Sequence, residues 1–178
     1  MDIKLQPGLR LERTDHPMTL RAIHPSAMSA QEIVDYMAFV IAAGEINAAT
    51  MPALVAQASS LITLQEDGKL IGTAAIKVPF AGHHHNEFGK AKVADLAPLY
   101  PYELGWVVVD SASRRKGHAR ALVGHAVNQL GDRASYATTK SDAMRAMLPE
   151  FDFVPLGDRY PSQLDSAVSL SLFGRSTV

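Results

Sequence analysis

Glu103 and the cationic run Arg114-Arg115-Lys116 are the residues of this chain whose types and spacing most suggest chemistry. Between them lie the apolar segment Leu104-Gly105-Trp106-Val107-Val108-Val109-Asp110 and a short polar turn, Ser111-Ala112-Ser113. After the cations, Gly117-His118-Ala119-Arg120-Ala121-Leu122-Val123 opens an amphipathic helix. A helix start leaves four N–H groups without intrahelical partners, and its dipole makes that end positive. Gly117 and Ala119 keep the approach clear of large side chains, so backbone donors and three cations converge on one point. That point suits a phosphorylated ligand such as a pyrophosphate. A carboxylate, Glu103, lies on the strand leading to that point. Two other phosphate motifs are absent: neither GxxxxGK[ST] nor GxGxxG occurs.

The elements that must position these residues read as mixed α and β. Met1 to Pro17 is an extension or extra strand, and residues 18–178 form a single domain. Met18 to Ile23 alternates as a first core strand. Ser29-Ala30-Gln31-Glu32 matches a capping box and starts a helix that stops at Gly44. A second helix covers Thr50 to about Ser59. Leu61 to Leu64 and Leu70 to Val78 form a hairpin across Asp67-Gly68. Pro79 to Pro101 reads as a long irregular loop. The Glu103 strand follows, then a helix from Gly117 to about Leu130 whose apolar positions recur at helical spacing. Ala134 to Thr139 is a short strand, and Ser141 caps a helix to about Leu148, ended by Pro149. Phe153 to Leu156 and Ala167 to Leu172 close the sheet.

At 178 residues the chain is long enough for one sizeable core, and its 47% apolar and 20% charged residues are ordinary for a globular domain. A formal net charge of -1 gives no general electrostatic case for nucleic acid. With no cysteine, disulfides, thiolate metal sites and a cysteine nucleophile are excluded. No run reaches the length of a membrane span and Met1-Asp2-Ile3-Lys4 does not begin a secretion signal, so a cytoplasmic location is expected.

Arg114-x-x-Gly117-x-Ala119, directly after a Val-rich strand and opening a helix, resembles motif A of the GNAT superfamily of N-acetyltransferases. The order of elements from Met18 to Leu172 is similar to that family's, and Glu103 to Leu130 carries the specific part. The resemblance implies an α+β fold: a mixed, mostly antiparallel central sheet flanked by helices, its strands splayed at the cofactor site near Tyr136. It implies acetyl-CoA as co-substrate and no metal. Backbone groups of Val107 and Val109 would pair with the pantetheine arm, and the amides from Arg115 through Lys116, Gly117 and His118 to Ala119 would hold the pyrophosphate. Ser141 stands where an asparagine usually contacts the cofactor.

The implied reaction is acetyl transfer to a primary amine, on a small molecule or a peptide, by direct attack through a tetrahedral intermediate. An amine with a pKa of roughly 10.4 must lose a proton first. Glu103 occupies the general-base position of histone-type members, and an N–H near Val107 or Val108 would face the oxyanion. On period-two alternation Glu103 shares a face with Gly105, Val107 and Val109, unless a bulge shifts the register.

Several positions depart from the family pattern. Leu148 falls where many members carry an acid tyrosine, which leaves Tyr136, Tyr160 or water to protonate the thiolate. Ser111 replaces a common proline, and Asp152-Phe153 aligns with a usual Gly-Phe pair. His83-His84-His85 reads as a solvated loop tip rather than a metal site. Asn86, Glu87, Tyr100 and Tyr102 flank the loop and are candidates for an acceptor pocket. Trp106, Met144 and Met147 read as core. The expected partners are an amine acceptor and a second copy of the chain in a homodimer, with neither membrane nor nucleic acid. Two other readings stay open: an acyl-CoA-binding module without transfer activity, and an acyltransferase acting on aminoacyl-tRNA. The amine itself is not encoded in any motif.

Overall fold

A computed structural model describes residues 17–44, 46–162 and 165–176. The proposed extension falls outside them, apart from Pro17, whose carbonyl accepts from the Asp67 amide at 3.1 Å. A seven-stranded sheet has the order β1-β2-β3-β4-β5-β7-β6. Its strands are β1 (Met18–Ile23), β2 (Ser60–Glu66), β3 (Lys69–Lys77), β4 (Tyr102–Val109), β5 (Ser135–Thr139), β6 (Val154–Pro161) and β7 (Ser169–Arg175). The β4–β5 pair is parallel and every other pair is antiparallel. The helices are α1 (Ala30–Ala42), α2 (Met51–Ala56), α3 (Ala81–Lys90), α4 (His118–Leu130) and α5 (Asp142–Met147).

The sheet alternates between two helical layers. Ile62, Leu64, Ala74, Ile76, Leu104 and Phe173 face Leu122, Val123, Ala126 and Leu130 of α4. Leu61 and Ala75, one residue out of phase, face Tyr36 and Val40 of α1 and Met51 and Val55 of α2. Phe88 and Ala91 of α3 pack with Tyr100, Tyr136, Tyr160 and Leu172. α1 begins with the expected capping box: Ser29 Oγ accepts from the Glu32 amide at 3.2 Å, and the Glu32 carboxylate accepts from the Ser29 amide at 2.8 Å.

One segment differs from expectation. Residues 79–101 are not an irregular loop: they contain α3 and a 3-10 turn over Ala94–Leu99. His84, Glu87, Phe88 and Ala91 recur at helical spacing and form the inward stripe, while His85, Asn86 and Gly89 face solvent. Two of the four inward residues are polar, which hides the periodicity from a reading based on apolar residues. β6 is also longer than expected, running to Pro161 through the bulge at Gly157. Gly157 has φ +63°, and a Cβ there would lie 2.0 Å from the Ala91 carbonyl oxygen. That carbonyl accepts from the Asp158 amide at 2.9 Å, so the end of α3 is tied to β6 by backbone in close contact.

Candidate active site

β4 carries a bulge at its centre. Thr73 stands opposite Val108 and Ala75 opposite Gly105, so Trp106 and Val107 share the single partner Ala74. Trp106 has φ +52°, an unusual backbone for a bulky residue. Its carbonyl accepts from the Thr73 hydroxyl at 3.0 Å, and its ring meets Tyr36 edge-on at 6.2 Å. The bulge changes which side chains share a face. Leu104, Val107 and Val109 pack in the α4 core, whereas Trp106 packs with α1. Glu103 therefore does not share a face with Val107 and Val109, contrary to simple alternation.

Glu103 is only 5% exposed. Its Oε1 lies 2.6 Å from the Lys77 Nζ, which follows from register because Lys77 pairs with Glu103 across β3 and β4. Its Oε2 accepts from the Tyr136 hydroxyl at 3.1 Å, and Tyr136 is its register partner on β5. Gly105 makes room for the ion pair, since a Cβ there would lie 2.6 Å from the Lys77 Cε. The Lys77 ammonium also sits over the Trp106 ring, 5.2 Å from its centre. Burial, followed by the charge and hydrogen bond of Glu103, holds the Tyr136 phenol far above its ordinary range, so it remains a donor. His84 stacks on Tyr136 at 5.2 Å and meets Phe88 edge-on at 5.1 Å. His83 Nε2 is 4.0 Å from Glu103 Oε2.

A second buried carboxylate repeats the pattern. Glu87 accepts from Lys90 Nζ at 2.8 Å and from the Tyr160 hydroxyl at 2.7 Å. Burial and this bond push the Tyr160 phenol up as well. The pair joins α3 to β6.

Beyond Glu103 the sheet opens. β4 and β5 are paired at Tyr102 with Ser135 and Glu103 with Tyr136, and their ladder ends there although both strands continue. At the far end of β4, Asp110 Oδ2 accepts from the Ala112 amide at 3.2 Å and caps a 3-10 turn over Ser111–Ser113. Arg115 (φ +63°) and Gly117 (φ +83°) have left-handed backbones on either side of Lys116, and Gly117 is the N-cap of α4. Such alternation turns successive N–H groups toward one concavity. No heavy atom lies within 4 Å of the position a Gly117 Cβ would take. Arg115 and Lys116 are exposed, while Arg114 Nε donates back to the Val109 carbonyl at 3.1 Å.

The model of the acetyltransferase (GNAT) family matches residues 42–149. The chain belongs to this family. A search of curated protein sequences returns no match. Among solved structures the chain is similar to an acyl-CoA N-acyltransferase from Pseudomonas aeruginosa, at 14% identity and TM-score 0.67, covering 90% of this chain and 100% of that one. It is similar to FeeM, an N-acyl amino acid synthase from uncultured soil microbes, at 12% identity and TM-score 0.69, covering 90% and 91%. It is also similar to the ribosomal-protein-S18-alanine N-acetyltransferase from Escherichia coli, at 15% identity and TM-score 0.63, covering 91% and 96%. These likenesses show a GNAT acyltransferase fold, with the mixed sheet and flanking helices expected from the sequence.

Within this GNAT fold, Glu103 and Tyr136 meet where the β4–β5 ladder ends, and residues 114–119 form the turn that follows β4 and the start of α4. Ser141 Oγ caps α5 by accepting from the Met144 amide at 3.3 Å. Leu148 is fully buried in the α4-side core, and Asp152, aligned with the family's glycine, has φ +65°, a backbone that favours glycine. The histidine run is not a solvated loop tip: it lies on α3, with His84 half-buried and only His83 and His85 exposed. Among the described residues no three His, Cys, Asp or Glu side chains converge as metal ligands. No helix among them is long and apolar enough to cross a membrane. Sequence reasoning missed Lys77, which has no local signature, and the buried role of Glu87. The spacing of His84, Phe88 and Ala91 was the available sign of α3.

Removing one partner of a buried ion pair leaves the other charge uncompensated, at a cost of roughly 3 kcal/mol. Lys77→Met is therefore expected to lower unfolding stability by about that amount in urea titrations, and Lys77→Met/Glu103→Gln to recover at least about half of it. A double variant no more stable than the single would show that the unpaired carboxylate is not the cause.

Burial depresses the His84 pKa, opposed by a backbone hydrogen bond from its ring to Tyr100 and by the charge of Glu103. The folded state thus favours the neutral ring. That contribution is fully present above the unfolded value of about 6.5 and is lost as pH falls through the lower folded-state value. His84→Gln should flatten the fall in Tm on acidification from about pH 7 to pH 5, a window set by that unfolded value. Parallel profiles for the two proteins would remove His84 as a source of the acid sensitivity.

Proposed function

We propose that this protein transfers an acetyl group from acetyl-CoA to a primary amine by direct attack of the amine. The observation that carries the reading is the end of the β4–β5 ladder immediately beyond a buried carboxylate, in a gap that leads to a left-handed loop at the start of α4. Backbone groups of Val107, Val108 and Val109 along the gap fit an amide-containing pantetheine arm, which needs strand-like donors and acceptors. The amides of Arg115, Lys116, Gly117, His118 and Ala119 fit its pyrophosphate, with exposed Arg115 and Lys116 adding charge. Arg114 supports the turn through its bond to Val109. Ser141 lines the neighbouring helix start.

Acetyl-CoA supplies an activated thioester, so the protein's task is to bind, orient and move protons. Glu103 takes the proton of the attacking amine. Lys77 and Tyr136 hold the carboxylate in place while it does so. The bulge at Trp106 and Val107 takes their backbone out of regular pairing with β3, and on this reading an N–H at Val107 or Val108 faces the developing oxyanion. Tyr136 is fully buried and already donates to Glu103, so this reading assigns it to positioning the base rather than to serving as the acid. Leu148 has no proton to give. An alkyl thiolate with a pKa of about 8.5 leaves readily near neutral pH and takes its proton from water.

The experiment pairs calorimetric binding of acetyl-CoA with CoA release in the presence of polyamine, aralkylamine, amino-acid and peptide N-terminal acceptors. Glu103→Gln should lower kcat about 10²-fold or more while leaving the acetyl-CoA Kd within about twofold. Gly117→Val should do the reverse, weakening acetyl-CoA at least about tenfold, because a β-branched residue resists φ +83° and fills the concavity. Tight binding without turnover on any amine would favour a binding module. Unchanged binding in Gly117→Val would overturn the cofactor assignment.

A further inference from the structure

A base that is sealed in must hand its proton on before the next turnover. Glu103 is 5% exposed, and the groups around its carboxylate differ in whether they can accept a proton. Lys77, 2.6 Å from Oε1, is an ammonium with only 13% of its side chain exposed, and it has no free lone pair. The Tyr136 hydroxyl is fully enclosed and held in its donor form. His84 covers the Tyr136 ring from α3, and its Nε2 is buried from water with no hydrogen-bond partner through which to pass a proton.

His83 is different. Its Nε2 lies 4.0 Å from Glu103 Oε2, and 48% of its side chain is exposed. It is in the first turn of α3, the helix that the Glu87–Tyr160 bond and the Ala91–Asp158 contact anchor to β6. The ring thus bridges the buried carboxylate and bulk solvent. The gap exceeds a hydrogen bond by about 1 Å, a distance that one bridging water or a small turn of an exposed ring closes.

We propose that His83 is the proton exit of the site, acting through Glu103. Resting on the assignment of Glu103 as base, the balance is as follows. The attacking nitrogen gives one proton to the Glu103 carboxylate, forming a carboxylic acid. That acid gives the proton to the neutral His83 Nε2, restoring the carboxylate and forming an imidazolium. The imidazolium releases the proton to water or buffer. Imidazole suits this step because it gains and loses a proton near neutral pH, which an ammonium or a phenol does not. His85, exposed two positions further along the helix, has no such contact and serves as the control.

The test measures CoA release from acetyl-CoA at low buffer concentration, with the fastest amine of the panel above as acceptor. His83→Ala should reduce kcat about tenfold or more with KM for acetyl-CoA unchanged, and added imidazole at tens of millimolar should restore most of the rate. His85→Ala should match the wild type. A lost packing contact would not be restored by a soluble base, so a slow His83→Ala that ignores imidazole overturns the proposal, as does a fast one. A slow Glu103→Gln beside a fast His83→Ala sinks the relay alone, whereas a fast Glu103→Gln sinks the assignment of the base. Independently of turnover, Glu103→Gln should move the ¹⁵N ring resonances of His83 in the free protein and leave those of His85 in place. Unmoved His83 resonances would show that the two side chains are not in communication.

Discussion

The nearly sealed carboxylate of Glu103 is the constraint that the surrounding structure answers. A charge withdrawn from water costs several kcal/mol unless it is paired and hydrogen-bonded. Here both oxygens are engaged, one by Lys77 and one by Tyr136, and both partners arrive by strand register rather than by loop conformation. Gly105 leaves space for the same arrangement, because a Cβ there would press on the Lys77 Cε and make the lysine shift. Glu103–Tyr136 is also the last rung of the parallel β4–β5 ladder. One pairing therefore places the carboxylate, supplies its donor and marks where the two strands separate. The proposed base lies at the cleft because the same register produces both.

That arrangement needs a cover, and α3 provides it. A helix that buries His84 and Glu87 gains less from apolar area than an ordinary amphipathic helix, so other contacts must hold it in place. They are specific: the Glu87 carboxylate between Lys90 and Tyr160, the Phe88 ring among Tyr100 and Tyr136, and the backbone contact of Ala91 with β6 at Gly157. The 3-10 turn over Ala94–Leu99 then returns the chain to β4. The helix lays His84 over Tyr136, the hydrogen-bond donor of the carboxylate, and leaves His83 beside the carboxylate itself.

Much of this was legible in the sequence where the signal is local. Ser29 and Glu32 encode a cap within four residues, Asp67-Gly68 encodes a hairpin, and Arg114-x-x-Gly117-x-Ala119 encodes a backbone path whose left-handed turns appear at Arg115 and Gly117. The parts that were not legible depend on distant partners. Nothing near Lys77 in the chain indicates that it will neutralise a residue on the next strand. The bulge at Trp106 is set by Thr73 and Tyr36, which come from other elements, and it overrides the period-two rule for every residue beyond it. α3 was hidden because its buried face carries a histidine and a glutamate, whose acceptability depends on Tyr136, Lys90 and Tyr160.

The same contrast divides the cleft itself. The end proposed to bind the pyrophosphate is built from main chain: a helix start, two left-handed residues and a short capped turn, all contiguous in sequence. Main-chain donors recognise a phosphate whatever else the ligand carries, so such an end tolerates the sequence divergence that separates this chain from similar structures at 12%, 14% and 15% identity. The carboxylate end is built from side chains of β3, β4, β5 and α3, each placed by a different long-range contact. Side-chain assemblies of that kind change with single substitutions. On the proposed reading, chemical individuality resides in Lys77, His83 and the α3 cover rather than in the glycine loop, because each of these is placed by a partner distant in the chain.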